Sequence, residues 1–324
     1  MKPLRIGVAG LGRAFTLMMP TFVHDARVQL VAACDPQPQA CAQFERDFQA
    51  PPVGSVEALC QRPDVDWVYV ATPHQFHADH VVLAAQHGKH VLVEKPMAIH
   101  LADCTRMIEA CDKAHTALIV GHSHSFNGPV LRAHQLIRSG RFGRVRMIHA
   151  LQYTDFLYRP RRPEELQTNA GGGVIHSQAA HQVDMVRLLG GGLVRSVHDA
   201  AQEAALKAER NYGGRLWSAP ATDSAPLAHP HFGPVIIGCE HADLRLTPTG
   251  VAIDGHDSQS FEAVPLGTVP RQEVIDEMVW AQSGQTTLHN GRWARASTAV
   301  SLALLQSAQG GLSVTPEHQV APVA

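Results

Sequence analysis

The first 122 residues alternate short apolar runs with amphipathic segments. The apolar runs are RIGVAG, VQLVAACD, WVYVATP, HVLVEKP and ALIVGHSHSF. The segments between them, such as 39–48, 77–87 and 101–115, carry apolar residues at helical spacing. Strands that are apolar throughout and separated by helices are typical of a parallel sheet covered on both faces. We therefore predict an α/β fold that begins with a doubly wound sheet, whose ligand crevice lies at the carboxyl ends of its strands.

The pattern changes after residue 122. Strand-like pieces there are RVRMIHALQYTDF, PVIIGCEH, LRLTP and GVAIDG, and helix-like pieces are 127–140, the stretch that ends at Leu189, 274–283 and 292–309. At 324 residues the chain is also long for a single core. We predict a nucleotide-binding domain over 1–122 and an α+β domain over 123–324 with a mostly antiparallel open sheet.

A glycine motif follows the first predicted strand. Gly10 would make the tight turn, Gly12 would let the backbone approach a pyrophosphate, and the phosphates would then lie at the N-terminus of the next helix. This pattern is typical of a Rossmann domain, although Phe15 replaces its third small residue. Asp35 ends the second strand, where an acid would bind the ribose hydroxyls and repel a 2′-phosphate. We predict NAD rather than NADP; the alternative role for Asp35 is a helix cap before Pro36.

Two further strands end in proline motifs. Thr72-Pro73 and Glu94-Lys95-Pro96 each stop a strand at the edge of the sheet where ligands bind. Lys95 would therefore project its amine into the crevice. The alternative is a solvated surface lysine.

These motifs together resemble the Gfo/Idh/MocA family of oxidoreductases. The segment GGGVIHSQAAHQVDMVRLLGG, residues 171–191, is similar to the family's GGG-x3-D-x-G-x-H-x2-D segment. By that match His181 takes the position of the catalytic histidine and Asp184 that of the following acid, while Ser177 stands where many members carry Asp. The resemblance implies an NAD(P)-dependent dehydrogenase with His181 as general base and Lys95 as orienting acid or proton relay. The alternative for His181 is a helix histidine paired with Asp184.

The resemblance also implies the residues that hold the cofactor. They are Gly10, Leu11, Gly12, Arg13, Ala14, Asp35, Ala71, Thr72, Pro73, His74, His77, Glu94 and Lys95.

Several segments are similar to a narrower group, the cis-dihydrodiol dehydrogenases that act on phthalate 4,5-dihydrodiol in aromatic degradation. They include ATPHQFHA, VGHSHSF, YRPRRPEEL and HPHFGPVI. We expect oxidation of the cis-diol to the catechol 4,5-dihydroxyphthalate. The predicted substrate-binding residues are His124, Tyr153, Arg159, Arg161, Arg162 and Ser177. The three arginines offer planar, forked donors to carboxylates, or they form a solvated loop paired with nearby glutamates.

Two other functions stay open. A sugar or inositol dehydrogenase of the same family would use an uncharged polyol. A non-catalytic NAD-binding paralogue is the second alternative, because the long strands that family members carry after the His181 helix are missing between LVRSVHD and AERNYGG. The same gap bears on the homo-oligomer that the resemblance implies, since the family's oligomer contact uses that sheet.

Composition narrows the partners to small molecules. The net charge of −2, with both signs interspersed, favours neither nucleic acid nor an anionic membrane. The six cysteines form no CxxC pair, and the chain has no apolar run of membrane-spanning length, so we expect reduced thiols and a cytoplasmic enzyme. The HxH and HPH spacings lack carboxylate or thiol company, so no metal is expected.

Overall fold

The first sheet of the computed structural model is parallel throughout. The structure describes residues 3–122, 124–151, 173, 175–192, 233–267 and 269–322. The strands of this sheet are β1 (Leu4–Ala9), β2 (Val28–Cys34), β3 (Trp67–Val70), β4 (His90–Glu94) and β5 (Leu118–Gly121). They lie in the order β2-β1-β3-β4-β5, with every neighbouring pair parallel. The predicted doubly wound sheet is confirmed.

Helices cover both faces of this sheet. They are α1 (Arg13–His24), α2 (Pro38–Phe48), α3 (Val56–Cys60), α4 (His77–Gln86) and α5 (Leu101–Ala114). One core holds apolar residues of α3, α4 and α5, and the core on the opposite face holds those of α1 and α2. The helices predicted at 39–48, 77–87 and 101–115 are confirmed to within a residue or two, because their apolar spacing matches the face that they bury.

The second sheet is antiparallel. Its strands are β6 (Val145–Ala150), β7 (Val235–Cys239), β8 (Ala242–Thr247), β9 (Gly250–Gly255) and β10 (Gln259–Ala263), in the order β10-β9-β8-β7-β6. The helices α6 (Gly128–Arg138) and α7 (Ala180–Leu189) pack on its inner face. Sequence patterns did not predict β10, because this edge strand is mostly exposed and carries no buried stripe.

The last two helices return to the first sheet. They are α8 (Gln272–Gln282) and α9 (Gly291–Gly310). Ile275 and Met278 of α8 are fully buried in the core that contains α1, and the Trp67 indole of β3 donates to Gln282 Oε1 at 2.9 Å. Burial of a side chain of this size contributes roughly 2 kcal/mol. Residues beyond 122 thus complete the first core, and a division of the chain at that point stays a prediction.

None of the described helices is long and apolar enough to cross a membrane.

Candidate active site

The glycine turn brings the ends of β1 and β3 together. Gly10 has a φ of +96°, and a Cβ atom there would lie 2.8 Å from the carbonyl oxygen of Ala71. A side chain would therefore need both a strained backbone and a shift of the neighbouring strand. At Gly12, in contrast, a Cβ atom would meet nothing within 4 Å. The backbone at the start of α1 is therefore open on one side, as close approach of a pyrophosphate requires.

Asp35 joins the end of β2 to this turn. Its Oδ2 accepts a hydrogen bond from the backbone N–H of Leu11 at 2.7 Å, and its Oδ1 accepts one from Gln37 at 2.8 Å. The residue before α2 is Gln37, so Asp35 makes a local turn two residues upstream and is not the cap itself. The carboxylate lies beside the glycine turn, where a dinucleotide ribose would pass. Its role in cofactor choice stays a prediction.

Phe15 lies outside the predicted phosphate groove. Its ring is fully buried and packs against Phe44 and Phe48 of α2, with centroid distances of 5.9 and 6.2 Å. The large residue at the third fingerprint position therefore fills the core between α1 and α2, and it leaves the glycine turn open.

His77 ties the two proline motifs to each other. Its Nε2 lies 2.8 Å from the carbonyl oxygen of Thr72, and its Nδ1 lies 3.1 Å from that of Pro96. Burial lowers the pKa of His77, and these carbonyl contacts oppose the shift. The loop that carries Lys95 is thereby fixed to the end of β3. Direct contact of His77 with cofactor stays a prediction, as it does for His74, whose ring packs against that of His77.

Glu94 anchors the other side of Lys95. Its Oε1 accepts a hydrogen bond from the buried Tyr69 hydroxyl at 2.8 Å, and its Oε2 accepts one from the Lys95 backbone at 3.3 Å. Burial, together with the Glu94 carboxylate, raises the pKa of Tyr69 well above its ordinary value of 10. The backbone of Lys95 is therefore held by Glu94 on one side and by the contact of His77 with Pro96 on the other.

His181 lies in the first turn of α7, beside a second imidazole. A short π-helix, Ile175–Ala179, leads into α7, and π-helical turns recur at functional sites. The His181 ring stacks on that of His124, with centroids 4.1 Å apart and planes 15° apart. Only 8% of His181 is exposed, and its Nδ1 has no hydrogen-bond partner within the described part of the chain.

Burial and the positive charges nearby keep His181 neutral. Burial is the main cause that lowers its pKa well below 6.5, followed by the positive charge of Lys95, then His124, His122 and Arg271. Lys95 and the two histidines after β5 therefore lie close enough to His181 to act on its ionisation. A neutral imidazole at physiological pH is the form that accepts a proton.

Asp184 accepts hydrogen bonds from residues other than His181. Its Oδ1 accepts from the Trp293 indole at 2.8 Å and from the Ser297 hydroxyl at 2.6 Å, and Ser125 donates to its Oδ2. Burial would raise its pKa, but the charges of His122 and His289 and these hydroxyl donors outweigh burial, so the pKa lies below its ordinary value. The ionised carboxylate thus faces α9 and the segment after β5, which disfavours the simple pairing of His181 with Asp184.

Part of the predicted substrate site lies outside the described residues. Tyr153, Arg159, Arg161 and Arg162 lie outside the described residues, as do the histidines of the HPH motif and the side chain of Ser177. Within the described ranges no group of three or more His, Cys, Asp or Glu side chains could hold a metal ion.

Arg271 was not predicted as a site residue. It precedes α8 with a φ of +51°, an uncommon conformation for a residue with a side chain. Its charge acts on both His181 and Tyr69, and its guanidinium makes no hydrogen bond or ion pair with any residue that the structure describes. The local sequence VPRQE carries no motif that would identify it. Only the return of α8 to the first sheet brings it to the site.

Comparison with known proteins identifies the family. Residues 4–122 match the model described as the oxidoreductase family with an NAD-binding Rossmann fold, and residues 130–216 match the GFO/IDH/MocA C-terminal domain. The chain belongs to the Gfo/Idh/MocA family. It is an NAD-dependent oxidoreductase, as the sequence motifs predicted, and the Gly10 turn and the open backbone at Gly12 fit that cofactor.

One relative is similar over nearly its whole length. The 1-carboxy-3-chloro-3,4-dihydroxycyclohexa-1,5-diene dehydrogenase of Comamonas testosteroni is 42% identical over 375 residues, which covers 94% of each chain. This alignment is longer than the 324 residues of the present chain, so the relative carries residues that have no counterpart here.

Solved structures share the architecture. A protein of Bordetella bronchiseptica RB50 is 32% identical, with a TM-score of 0.85 and coverage of 97% of this chain and 100% of that one. The WlbA dehydrogenase of Bordetella pertussis, in complex with NADH and UDP-GlcNAcA, is 24% identical, with a TM-score of 0.72 and coverage of 100% and 99%. The latter likeness shows the fold alone.

Proposed function

We propose that this enzyme oxidises a carboxylated cyclohexadiene cis-diol to a catechol, with phthalate 4,5-cis-dihydrodiol as the leading candidate substrate. The observation that carries the proposal is the 42% identity, over 94% of both chains, to a dehydrogenase of a carboxylated dihydroxycyclohexadiene. The site is consistent with that chemistry, since the buried, neutral His181 lies within electrostatic range of Lys95, which follows one of the strand ends that would hold the cofactor.

His181 acts as the general base in this scheme. Its low pKa leaves the imidazole free to take the proton of the substrate hydroxyl at neutral pH. Lys95, braced by Glu94 and by the loop that His77 holds, orients the hydroxyl oxygen and stabilises the negative charge that develops there. NAD, when bound, supplies the acceptor for the hydride that leaves the same carbon. Gly10, Gly12 and the N-terminus of α1 would hold its phosphates.

Arg271 supports an anionic substrate. Its guanidinium lies near His181 and makes no ion pair within the described part of the chain, so a substrate carboxylate can serve as its partner. The predicted arginines 159, 161 and 162 would add further donors. A polyol carries no charge and would leave Arg271 without a counterion.

The test is NADH formation, followed by absorbance, across a panel of diols. The panel contains phthalate 4,5-cis-dihydrodiol, an uncharged benzene cis-dihydrodiol and myo-inositol. We expect the carboxylated diol to have the highest kcat/KM. Oxidation of inositol alone would show a polyol dehydrogenase, and NAD binding without turnover of any diol would show a non-catalytic paralogue.

A variant that removes the charge of Arg271 adds a test of carboxylate recognition to the same experiment. Arg271→Gln should raise KM for the carboxylated diol about tenfold and change KM for the uncharged diol little, because a charge-assisted hydrogen bond contributes roughly 1.5 kcal/mol or more. The matched control is Arg106→Gln, which removes a half-exposed guanidinium of α5 that pairs with Asp79 of α4 and Asp103 of α5. Equal loss for both diols in Arg271→Gln would contradict carboxylate recognition.

A further inference from the structure

A chain of buried polar side chains runs from α8 to α7. His289, which lies between α8 and α9, is fully buried. Its Nδ1 lies 2.9 Å from Glu277 Oε1, and its backbone N–H donates to Glu277 Oε2 at 3.1 Å. Its Nε2 lies 2.8 Å from the Ser125 hydroxyl, which in turn donates to Asp184. The Phe126 ring stacks on the imidazole with a centroid distance of 3.6 Å.

The acceptors in this chain fix the direction of its hydrogen bonds. The Ser125 hydroxyl has one hydrogen, and both the ionised Asp184 carboxylate and the His122 carbonyl at 3.0 Å can only accept. His289 must therefore donate to Ser125 through Nε2–H. A proton also lies between its Nδ1 and Glu277, because two lone pairs 2.9 Å apart would repel each other. The chain is satisfied at every link, and loss of any member leaves a buried polar atom without its partner.

The two ends of this chain of polar side chains lie on two different helices, α8 and α7. Glu277 lies on α8, which packs on the first sheet. Asp184 lies on α7, one turn beyond His181. Ser125 lies between them and directly follows His124, the residue whose ring stacks on His181. The polar chain therefore links the nucleotide-binding sheet to the helix that carries His181.

We propose that His289 is a positioning residue, which acts through Ser125 to hold His124 and the helix of His181 against Lys95. The His289 side chain contacts Glu277, Ser125 and Phe126, none of which is a candidate catalytic or cofactor residue, so its effect is on alignment. The kinetic part of the inference rests on the proposed function. Its structural part does not, because the environment of His181 can be measured without a substrate.

The kinetic experiment compares Ser125→Ala, His289→Phe and His289→Gln in the full-length enzyme. Phenylalanine keeps the ring stack on Phe126 but loses both hydrogen bonds, whereas the amide of glutamine can still donate to Ser125. We expect kcat for the diol to fall tenfold or more in Ser125→Ala and His289→Phe, and to recover in part in His289→Gln, while NADH affinity and KM change less than threefold. The control Ser301→Ala removes another buried hydroxyl, whose one hydrogen bond within the described residues goes to the Ser297 carbonyl of α9, and it should keep the activity of the parent enzyme.

The second experiment follows the titration of His181 by NMR of 15N-histidine protein, with the signal assigned from a His181→Asn variant. The charged and titratable groups that act on His181 are Lys95 after β4, His122 and His124 after β5, and Arg271 before α8. If Ser125→Ala and His289→Phe let α7 move away from Lys95, the midpoint should rise toward 6.5 by about half a pH unit or more. Ser301→Ala should leave it unchanged.

The inference is overturned if Ser125→Ala and His289→Phe keep the midpoint of His181 at that of the parent protein. A loss of kcat that matches the loss of NADH affinity would also count against it, since that result indicates a general defect in folding. Absence of turnover on every diol would refute the proposed function alone, and the titration would then decide the role of His289.

Discussion

The nucleotide-binding half and the substrate half build their sites in different ways. In the first half the backbone forms most of the crevice, through the φ of Gly10, the open side of Gly12 and the segments that follow β3 and β4. In the second half buried side chains from distant segments meet. Asp184, for example, binds Trp293 and Ser297, more than a hundred residues further along the chain.

This difference decides what a mutation does in each half. A backbone site depends on local sequence, so it is lost when a glycine gains a side chain or a turn changes. A side-chain site depends on several partners in one buried network, so one substitution leaves the remaining polar groups without hydrogen-bond partners. Variants can therefore test whether changes in the first half affect the binding of NAD and changes in the second half affect catalysis.

The largest effect should come from the two candidate catalytic groups. Lys95→Ala and His181→Ala should each lower kcat a hundredfold to ten-thousandfold, because each removes a group that handles a proton in the transition state. NAD affinity, measured by quenching of intrinsic fluorescence, should change little in His181→Ala. The control is Lys89→Ala, which removes an amine at the opposite end of β4 that bonds the carbonyls of Arg62 and Val65. Near-normal rates in both site variants would end the assignment.

Much of the first half could be predicted from sequence, because its signals are local. Apolar runs gave the five parallel strands, and Lys95 stood out because a proline motif ends its strand at the ligand edge. His181 was found only through family resemblance. Its sequence neighbour Asp184 suggested a pair, but the carboxylate binds α9 instead.

Sequence patterns gave no signal for Glu277, His289 or Arg271, and they assigned no role to Ser125, although it lies in the VGHSHSF segment. A glutamate in a helix and a histidine before the next one are typical of exposed positions, and only the packing of α8 and α9 on the first sheet buries them together. Strand β10 was missed for the converse reason, since its residues face solvent and show no alternation.

An intermediate effect should separate the two glycines of the first turn. Gly12→Ala meets no atom within 4 Å, so the melting temperature should stay within about 2 °C, while NAD affinity falls about tenfold because the methyl group occupies the approach of the pyrophosphate. Gly10→Ala should lower the melting temperature as well, because it adds contact with Ala71 to a φ that costs of order 1–3 kcal/mol. Equal melting temperatures for the two variants would contradict this division.

The smallest effect concerns the acid limb of the pH profile, that is, the fall of kcat at low pH. His181 must be neutral to accept a proton, and its pKa is lowered first by burial and then by nearby positive charges, among them that of Arg271. Arg271→Gln removes one of these charges, so the pKa of His181 should rise toward 6.5 and the acid limb of kcat should move to higher pH by a few tenths of a unit. At saturating substrate and pH 6, the fraction of the plateau kcat that is lost should be about twofold larger in the variant than in the parent enzyme. The control is Arg245→Gln on the exposed face of β8, which should leave the limb in place. Movement of the limb to lower pH in Arg271→Gln would mean that the guanidinium does not act on His181 during turnover, and the substrate half would then lack the electrostatic coupling that distinguishes it from the nucleotide-binding half.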